Sequence, residues 1–133
     1  SNILEKNIKG QTKRITYSGS NIKEVEFIIQ KENGKSSWFS FTIVLNPKYA
    51  IDRSSVMEAM RKARIEFRII TGGCFLRHDV IKYFDYETVG EIVNANIAHD
   101  RGFFVGNYPR DIKPQIKNLW KVLDSAVSSK QTS

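Results

Sequence analysis

The chain has 133 residues, of which 41% are hydrophobic and 11% aromatic, so it suits one domain with a buried core and excludes a disordered composition. Its net charge of +7 is spread along the chain without a basic tail, which argues against a dedicated nucleic-acid surface. No apolar run approaches the roughly 18 residues of a membrane span. The single cysteine, Cys74, excludes an internal disulfide and a cysteine-based zinc site and predicts a cytoplasmic protein.

The N-terminal third predicts a β-hairpin. The segment IKEVEFIIQ (22–30) alternates apolar and acidic side chains, as a half-buried strand does. Asn33-Gly34 is a strong signal for a tight hairpin turn. The segment SSWFSFTIVL (36–45) is rich in aromatic and β-branched residues and predicts the second strand.

One helix, one strand and one long connection follow the hairpin. Asp52 is placed to cap a helix over 53–64, whose last turn is basic and so complements the helix dipole. A strand is predicted over 66–71, where one arginine interrupts an apolar run. The aromatic stretch 72–90 is a long connection with one helical turn near 78–83, and connections of this length are often functional.

The C-terminal part predicts a helix over 89–100, a short strand over 102–106 and a final helix over 112–127 with one apolar face. The resulting order is β-β-α-β-loop-α-β-α. We therefore predict an α+β fold, in which a small antiparallel or mixed sheet has helices packed on one face.

Catalytic motifs are missing from the sequence, which has no glycine-rich nucleotide loop, no HExxH and no GxSxG. His78 and His99 have no partner at metal-ligand spacing, so they predict surface or helix-face positions. Cys74 is expected to be a small, semi-buried residue. The aromatic residues of the second strand are expected to be core rather than ligand contacts: Trp38, Phe39 and Phe41. No catalytic, cofactor-binding or metal-ligating residue is predicted in this chain.

Four stretches of the chain resemble one enzyme family. They are SSWFSFTIVL, IEFRIITGGCFLRHDVIKYFDYE, NANIAHDRGFFVGNYP and the closing helix, which together cover about residues 36–126. All are similar to the C-terminal small domain of the sugar-nucleotide aminotransferase and dehydratase family. These are fold-type-I enzymes that depend on pyridoxal phosphate (PLP) or pyridoxamine phosphate (PMP). The resemblance is strongest to the branch of GDP-4-keto-6-deoxymannose 3-dehydratases.

The resemblance implies that this chain is a C-terminal fragment without turnover of its own. In the family, an N-terminal domain holds the cofactor and the catalytic lysine or histidine. The chain then divides into a lead-in with the first hairpin strand over 1–35, the small domain over 36–127 and a disordered tail over 128–133. The implied full-length enzyme is a cytoplasmic homodimer of lipopolysaccharide deoxysugar biosynthesis. Its ligands would be a GDP- or CDP-linked sugar and glutamate.

The resemblance also predicts six substrate-binding residues: Arg68, Gly72, Gly73, Phe75, Asn107 and Tyr108. The guanidinium of Arg68 would fork onto the carboxylate of glutamate or onto a phosphate of the nucleotide-sugar. Gly72 and Gly73 would let backbone N–H groups approach the ligand, and the aromatic ring two residues later would close over the sugar. Arg77 and His78 would line the same mouth.

Several alternatives stay open. Arg68 can instead point outward and pair with Glu66 or Glu91, with Phe67 and Ile69 as the buried face. The chain departs from the dehydratase branch at three motifs, which leaves the sugar open, and the residue that decides between dehydration and amination lies outside the chain. Two other function classes are a stand-alone module for anionic ligands or nucleic acid and a domain that dimerises through the face a large domain would cover.

Overall fold

A computed structural model describes residues 27–29 and 34–128. Its strands form one four-stranded sheet in the order β1-β2-β4-β3, and all three pairings are antiparallel. The α+β class is therefore confirmed. The elements are β1 (Phe27–Ile29), β2 (Ser40–Leu45), α1 (Arg53–Lys62), β3 (Arg68–Ile69), α2 (Val93–Arg101), β4 (Gly102–Gly106) and α3 (Lys113–Ser128), with 3₁₀ turns at Phe75–Arg77 and Asp79–Tyr83.

The core lies on one face of the sheet, since the side chains of β2 alternate strictly between half-buried and buried. Phe41 and Ile43 are fully buried, while the residues between them are only half-buried. In the register of the two central strands, Phe41 lies opposite Val105 and Ile43 lies opposite Phe103, so these four side chains share a face. The apolar faces of α1 and α3 cover that face and complete a single core.

The predicted first helix is confirmed, and its beginning and end have local causes. The Asp52 carboxylate accepts hydrogen bonds from the backbone N–H groups of Ser54 and Ser55, which caps the N-terminus. The helix ends at Lys62, two residues before the predicted boundary. Arg64 has a φ of 56°, in the left-handed region, so it cannot continue the helix.

The predicted second strand begins at Ser40 rather than at 36 because the backbone turns at Trp38. Trp38 has a φ of 52°, a conformation that bulky side chains rarely adopt. The turn buries the Trp38 indole and leaves the Phe39 ring 79% exposed. The expectation of a core position is therefore confirmed for Trp38 and Phe41 and is wrong for Phe39.

Other element boundaries differ from the predicted ones. Of the predicted strand 66–71, only Arg68–Ile69 pairs with β4, and the predicted helix 89–100 begins at Val93. The strand β1 confirms residues 27–29 of the predicted strand 22–30. The hairpin-turn residue Asn33 and residues 129–133 of the predicted tail lie outside the described residues.

Candidate functional site

An open groove of about 1090 Å³ runs along the edge of the sheet beside β3. The end of α1, the short edge strand and the exit of β4 supply its walls. Its lining combines cationic and aromatic side chains with one carboxylate: Phe39, Arg61, Arg64, Glu66, Phe67, Arg68 and Phe104. Such a lining suits a ligand that carries negative charge next to a flat ring or sugar.

The arginines of the groove differ in whether their guanidinium groups interact with other residues. Arg61 lies 5.3 Å above the ring of Phe67 and pairs with Glu58 at 3.6 Å. The exposed side chains of Arg64 and Arg68 form no hydrogen bond or ion pair with any other residue in the described part of the chain. The alternative in which Arg68 pairs with Glu66 or Glu91 is therefore not what the structure shows, and these two guanidinium groups are open to an anionic ligand.

Backbone strain is concentrated beside the groove. Trp38 and Arg64 are the non-glycine residues with positive φ among residues 27–29 and 34–128. Arg64 lines the groove, and Trp38 immediately precedes Phe39, which lines it too. The side-chain amide of Asn107 donates to the Trp38 carbonyl at 3.0 Å and holds this turn in place. Strained backbone that is held by specific contacts is typical of functional sites.

The six predicted binding residues fall into two groups, of which the first lies at the groove. Arg68 and Asn107 both line it. Asn107 also lines a neighbouring hollow of about 400 Å³ against α3, together with Tyr108. The backbone N–H of Tyr108 donates to the Asn107 side chain at 3.1 Å, so the exit of β4 presents both residues from one short turn.

The second group of predicted residues, Gly72, Gly73 and Phe75, surrounds two histidines instead. The Gly72 carbonyl is 2.9 Å from His78 Nε2, and the Phe75 ring stacks on His78 with centroids 6.0 Å apart. The N–H that follows Gly73 donates to His99 Nδ1 at 3.1 Å, so this backbone donor already has an intramolecular acceptor. It belongs to Cys74, which is buried completely rather than partly.

Arg77, which was expected to line the mouth of the substrate site, is already held in an ion pair within the domain. Its Nη1 donates to Asp100 Oδ1 at 2.6 Å, and this hydrogen bond holds the pKa of Asp100 below its ordinary value. A carboxylate whose pKa is lowered by folding stabilises the protein above its unfolded-state pKa, and that contribution is lost as pH falls through the folded-state value. Both side chains are about half exposed, so the pair contributes little and is weakened by salt. The Arg77–Asp100 pair connects the first 3₁₀ turn to α2.

Known proteins are similar to most of this chain, although no protein-family model matches it. A GDP-4-keto-6-deoxy-D-mannose 3-dehydratase of Yersinia pseudotuberculosis is 42% identical over 96 residues, which are 71% of this chain and 24% of the dehydratase. The lipopolysaccharide biosynthesis protein RfbH of Salmonella typhimurium is 28% identical over 78 residues, 59% of this chain and 18% of RfbH.

Solved structures agree. The E. coli GDP-4-keto-6-deoxy-D-mannose-3-dehydratase with bound hydrated PLP matches with a TM-score of 0.81 and 31% identity, over 92% of this chain and 30% of that enzyme. Two further structures of a GDP-4-keto-6-deoxymannose-3-dehydratase match equally well, one with a trapped PLP-glutamate geminal diamine and one with bound GDP-perosamine. This chain is homologous to the C-terminal region of the GDP-4-keto-6-deoxymannose 3-dehydratases.

The homology confirms the resemblance to this PLP-dependent family. It covers only part of the length of the family's enzymes. The chain spans about a quarter of the length of the curated dehydratases that it matches. Every lysine in the described part is exposed, so these residues offer no enclosed amine against which a pyridoxal ring could be held. The cofactor is bound in the solved dehydratase, of which this chain matches 30%.

The described residues contain neither a metal-ligand cluster nor a membrane-spanning helix. Over 27–29 and 34–128, no three His, Cys, Asp or Glu side chains gather into a possible metal site. In the portion that the structure describes, no helix has both the length and the apolar character needed to cross a bilayer.

Sequence reasoning missed several members of the groove. Phe39 was assigned to the core, and Arg61 and Arg64 were interpreted only as cations that suit a helix C-terminus. The signal that could have found them is their joint placement: an aromatic run and a basic helix end flank a strand that carries a third arginine. For Glu66 the sequence offered only a possible pair with Arg68.

The two adjacent glycines of the dehydratase-like loop are expected to respond oppositely to alanine. A Cβ on Gly73, whose φ is +48°, would lie 2.3 Å from His99 Nδ1, whereas a Cβ on Gly72 would meet nothing within 4 Å. We expect G73A to lower the free energy of unfolding by about 1–3 kcal/mol and G72A to leave it unchanged or raise it slightly. Urea denaturation of both variants checks this. Equal losses would mean that His99 does not pack against the loop in solution.

Proposed function

We propose that this chain is one wall of the substrate cleft in a PLP- or PMP-dependent sugar-nucleotide 3-dehydratase or aminotransferase of lipopolysaccharide deoxysugar biosynthesis. The observation that carries the proposal is the groove beside β3, open on one side and lined by unpaired guanidinium groups, in a chain homologous to part of such enzymes. The proposed partners are a cofactor-bearing domain of the same polypeptide and, as a dimer, a second subunit. The proposed compartment is the cytoplasm.

The groove residues would bind and orient the substrates. The fork of Arg68 matches the carboxylate of glutamate or a phosphate of a GDP- or CDP-linked sugar, and Arg64 adds a second positive charge in the same groove. The exposed ring of Phe39 offers an apolar face that excludes water from one side of the ligand. The cofactor, when bound by the other domain, supplies an electron sink for the bond-breaking step.

The choice between dehydration and amination is proposed to lie with the other domain. Within the described residues, the groove contributes arginines, aromatic rings and the single carboxylate of Glu66. A histidine at the cofactor would favour loss of a hydroxyl, whereas a lysine would favour transfer of an amino group. This chain is therefore proposed to hold the substrate and to have no turnover alone.

A second candidate function rests on the same open guanidinium groups. Arg64 and Arg68 could serve a stand-alone module for anionic ligands or nucleic acid. That function predicts binding of GDP or a short oligonucleotide by the isolated chain, with an affinity that falls steeply as salt is raised. Absence of such binding at low salt would eliminate it and leave the proposed enzyme role in place.

A hybrid enzyme tests the proposed role of Arg68. The matched region of the Yersinia dehydratase is replaced by that of this chain, and turnover of its GDP-4-keto-6-deoxy-D-mannose substrate is measured with R68A, R68K and K117A. We expect R68A to lower kcat/KM by about 10–100-fold, because charge-assisted bonds of this kind contribute about 1.5–3 kcal/mol. The kcat/KM of R68K should lie between those of R68A and the unmodified hybrid, since lysine keeps the positive charge but lacks the two-pronged guanidinium. K117A, an exposed lysine on α3, should change nothing.

Two outcomes of this experiment would contradict different claims. If the hybrid is active and R68A stays within about twofold of it, the binding role of Arg68 is wrong. If the hybrid folds and binds PLP but has no activity, the proposed function of this chain is wrong.

A further inference from the structure

The segment from residue 75 to residue 93, named here the 75–93 surface, exposes an unusual amount of apolar side chain. Six of its large apolar residues are more than half exposed. Val89 reaches 86% and Tyr83 78%, and the others are Phe75, Phe84, Tyr86 and Val93, all at or above 51%. Scattered apolar residues on a surface are ordinary, but so many within one short segment indicate a surface that is covered in use.

The 75–93 surface is held in shape without being packed on the core. Its regular structure consists of two 3₁₀ turns, and its aromatic rings contact one another, as Phe75 and Phe84 do with centroids 6.5 Å apart. The Arg77–Asp100 pair at 2.6 Å and the His78 contact with the Gly72 carbonyl fasten its first turn to the body of the domain. A fixed surface loses less conformational entropy on binding than a floppy loop does.

The charge of the 75–93 surface is opposite to that of the chain. It carries four carboxylates, Asp79, Asp85, Glu87 and Glu91, against two cations, Arg77 and Lys82, in a protein with a net charge of +7. A symmetric dimer through this surface would bring two acidic segments against each other, because an isologous interface pairs the same patch on both subunits. A second copy of this chain is therefore a poor occupant, and an apolar surface with basic groups at its margin is a good one.

The position of the 75–93 surface in the chain indicates which partner supplies the apolar surface with basic groups at its margin. It begins four residues after Thr71, the last groove-lining residue before it in the sequence, so the surface follows directly along the chain from one wall of the groove. The dehydratases that match this chain contain about three quarters of their length outside the match. Aromatic side chains are enriched in the buried centres of such interfaces.

We propose that the 75–93 surface is the docking face for the cofactor-bearing domain of the same polypeptide. This inference rests on the proposed function, because that function supplies the second domain. The docked domain presents an apolar patch edged with basic residues, into which Tyr83 and Val89 insert as the most exposed members of the surface.

The hybrid dehydratase described above tests the docking. In amide hydrogen exchange, residues 79–92 should exchange at least tenfold more slowly in the PLP-loaded hybrid than in the isolated 133-residue chain. Unchanged exchange in an active hybrid would overturn the docking and leave the proposed function intact. Slowed exchange in an inactive hybrid would support the docking and reject the proposed function. Slowing that depends on concentration in the isolated chain would assign the surface to a second copy and overturn the proposal.

A pair of variants separates docking from folding. The double variant Tyr83→Ser with Val89→Ser should leave the urea midpoint of the isolated chain unchanged, because both side chains are already exposed there. In the hybrid it should lower Tm by at least about 4 °C. The control Ile28→Ser removes an apolar side chain of β1 that is 47% exposed and lies outside the 75–93 surface, and it should lower the Tm of the hybrid by less. Equal shifts for both variants would overturn the proposal.

Discussion

Replacing Phe41 with alanine is expected to lower the free energy of unfolding by about 3–5 kcal/mol. The side chain has no exposed surface and lies at the centre of the sheet, directly opposite Val105. Its ring meets the edge of the Trp120 ring with centroids 6.4 Å apart and an angle of 78°, an arrangement that adds to the burial of area. Removal leaves a cavity between β2 and α3 that neither element can fill by moving alone. Urea denaturation of the 133-residue chain measures the loss.

Phe39→Ala is the matched control, because it removes the same atoms two residues earlier. The Phe39 ring is 79% exposed, so its removal should change stability by less than about 0.5 kcal/mol. Two successive phenylalanines of one strand pattern would then differ by several kcal/mol. Similar losses at both positions would show that the turn at Trp38 is not present in solution, and the aromatic wall of the groove would be lost with it.

The accuracy of sequence reasoning in this chain depends on the range of the interactions involved. The helix at 53–62 was predictable because its cap, its apolar spacing and its basic end are all local, as the Asp52 hydrogen bonds to the next turn illustrate. The strand at 102–106 was predictable because glycines bound an apolar run. The exposure of Phe39 was not, because it depends on Asn107, nearly 70 residues away, donating to the Trp38 carbonyl.

The candidate site shows the same limit. Arg68 and Asn107 were named from resemblance, and the fold brings both to one groove because β3 and the exit of β4 are neighbours in the sheet. Arg64 was missed because its place in the groove depends on the left-handed turn that ends α1, which the sequence does not signal with a glycine. The glycines of the following loop were expected to serve a ligand, whereas Gly73 has a sufficient structural reason in the ring of His99.

Gly102→Ala is expected to be the most damaging substitution outside the core side chains. Gly102 lies where α2 turns directly into β4, and a Cβ there would stand 2.4 Å from the Ala98 carbonyl oxygen and 2.3 Å from the Ile70 side chain. The carbonyl cannot retreat freely, because the Arg53 guanidinium donates to the neighbouring carbonyls of His99 and Gly102 at 2.7 and 3.0 Å. We expect a loss of about 2–3 kcal/mol in urea denaturation.

The matched control is Gly106→Ala, at the other end of the same strand. A Cβ on Gly106 would meet nothing within 4 Å, so stability should be unchanged or slightly raised. Comparing the two variants also separates an effect on stability from an effect on ligand binding, because Gly106 lines the groove and Gly102 does not. If G102A proves as mild as G106A, then the end of α2 is not packed against Gly102 in solution as the structure has it. If only G102A is damaging, the close approach of Ala98 and Ile70 to Gly102 is what requires a glycine at the junction of α2 and β4.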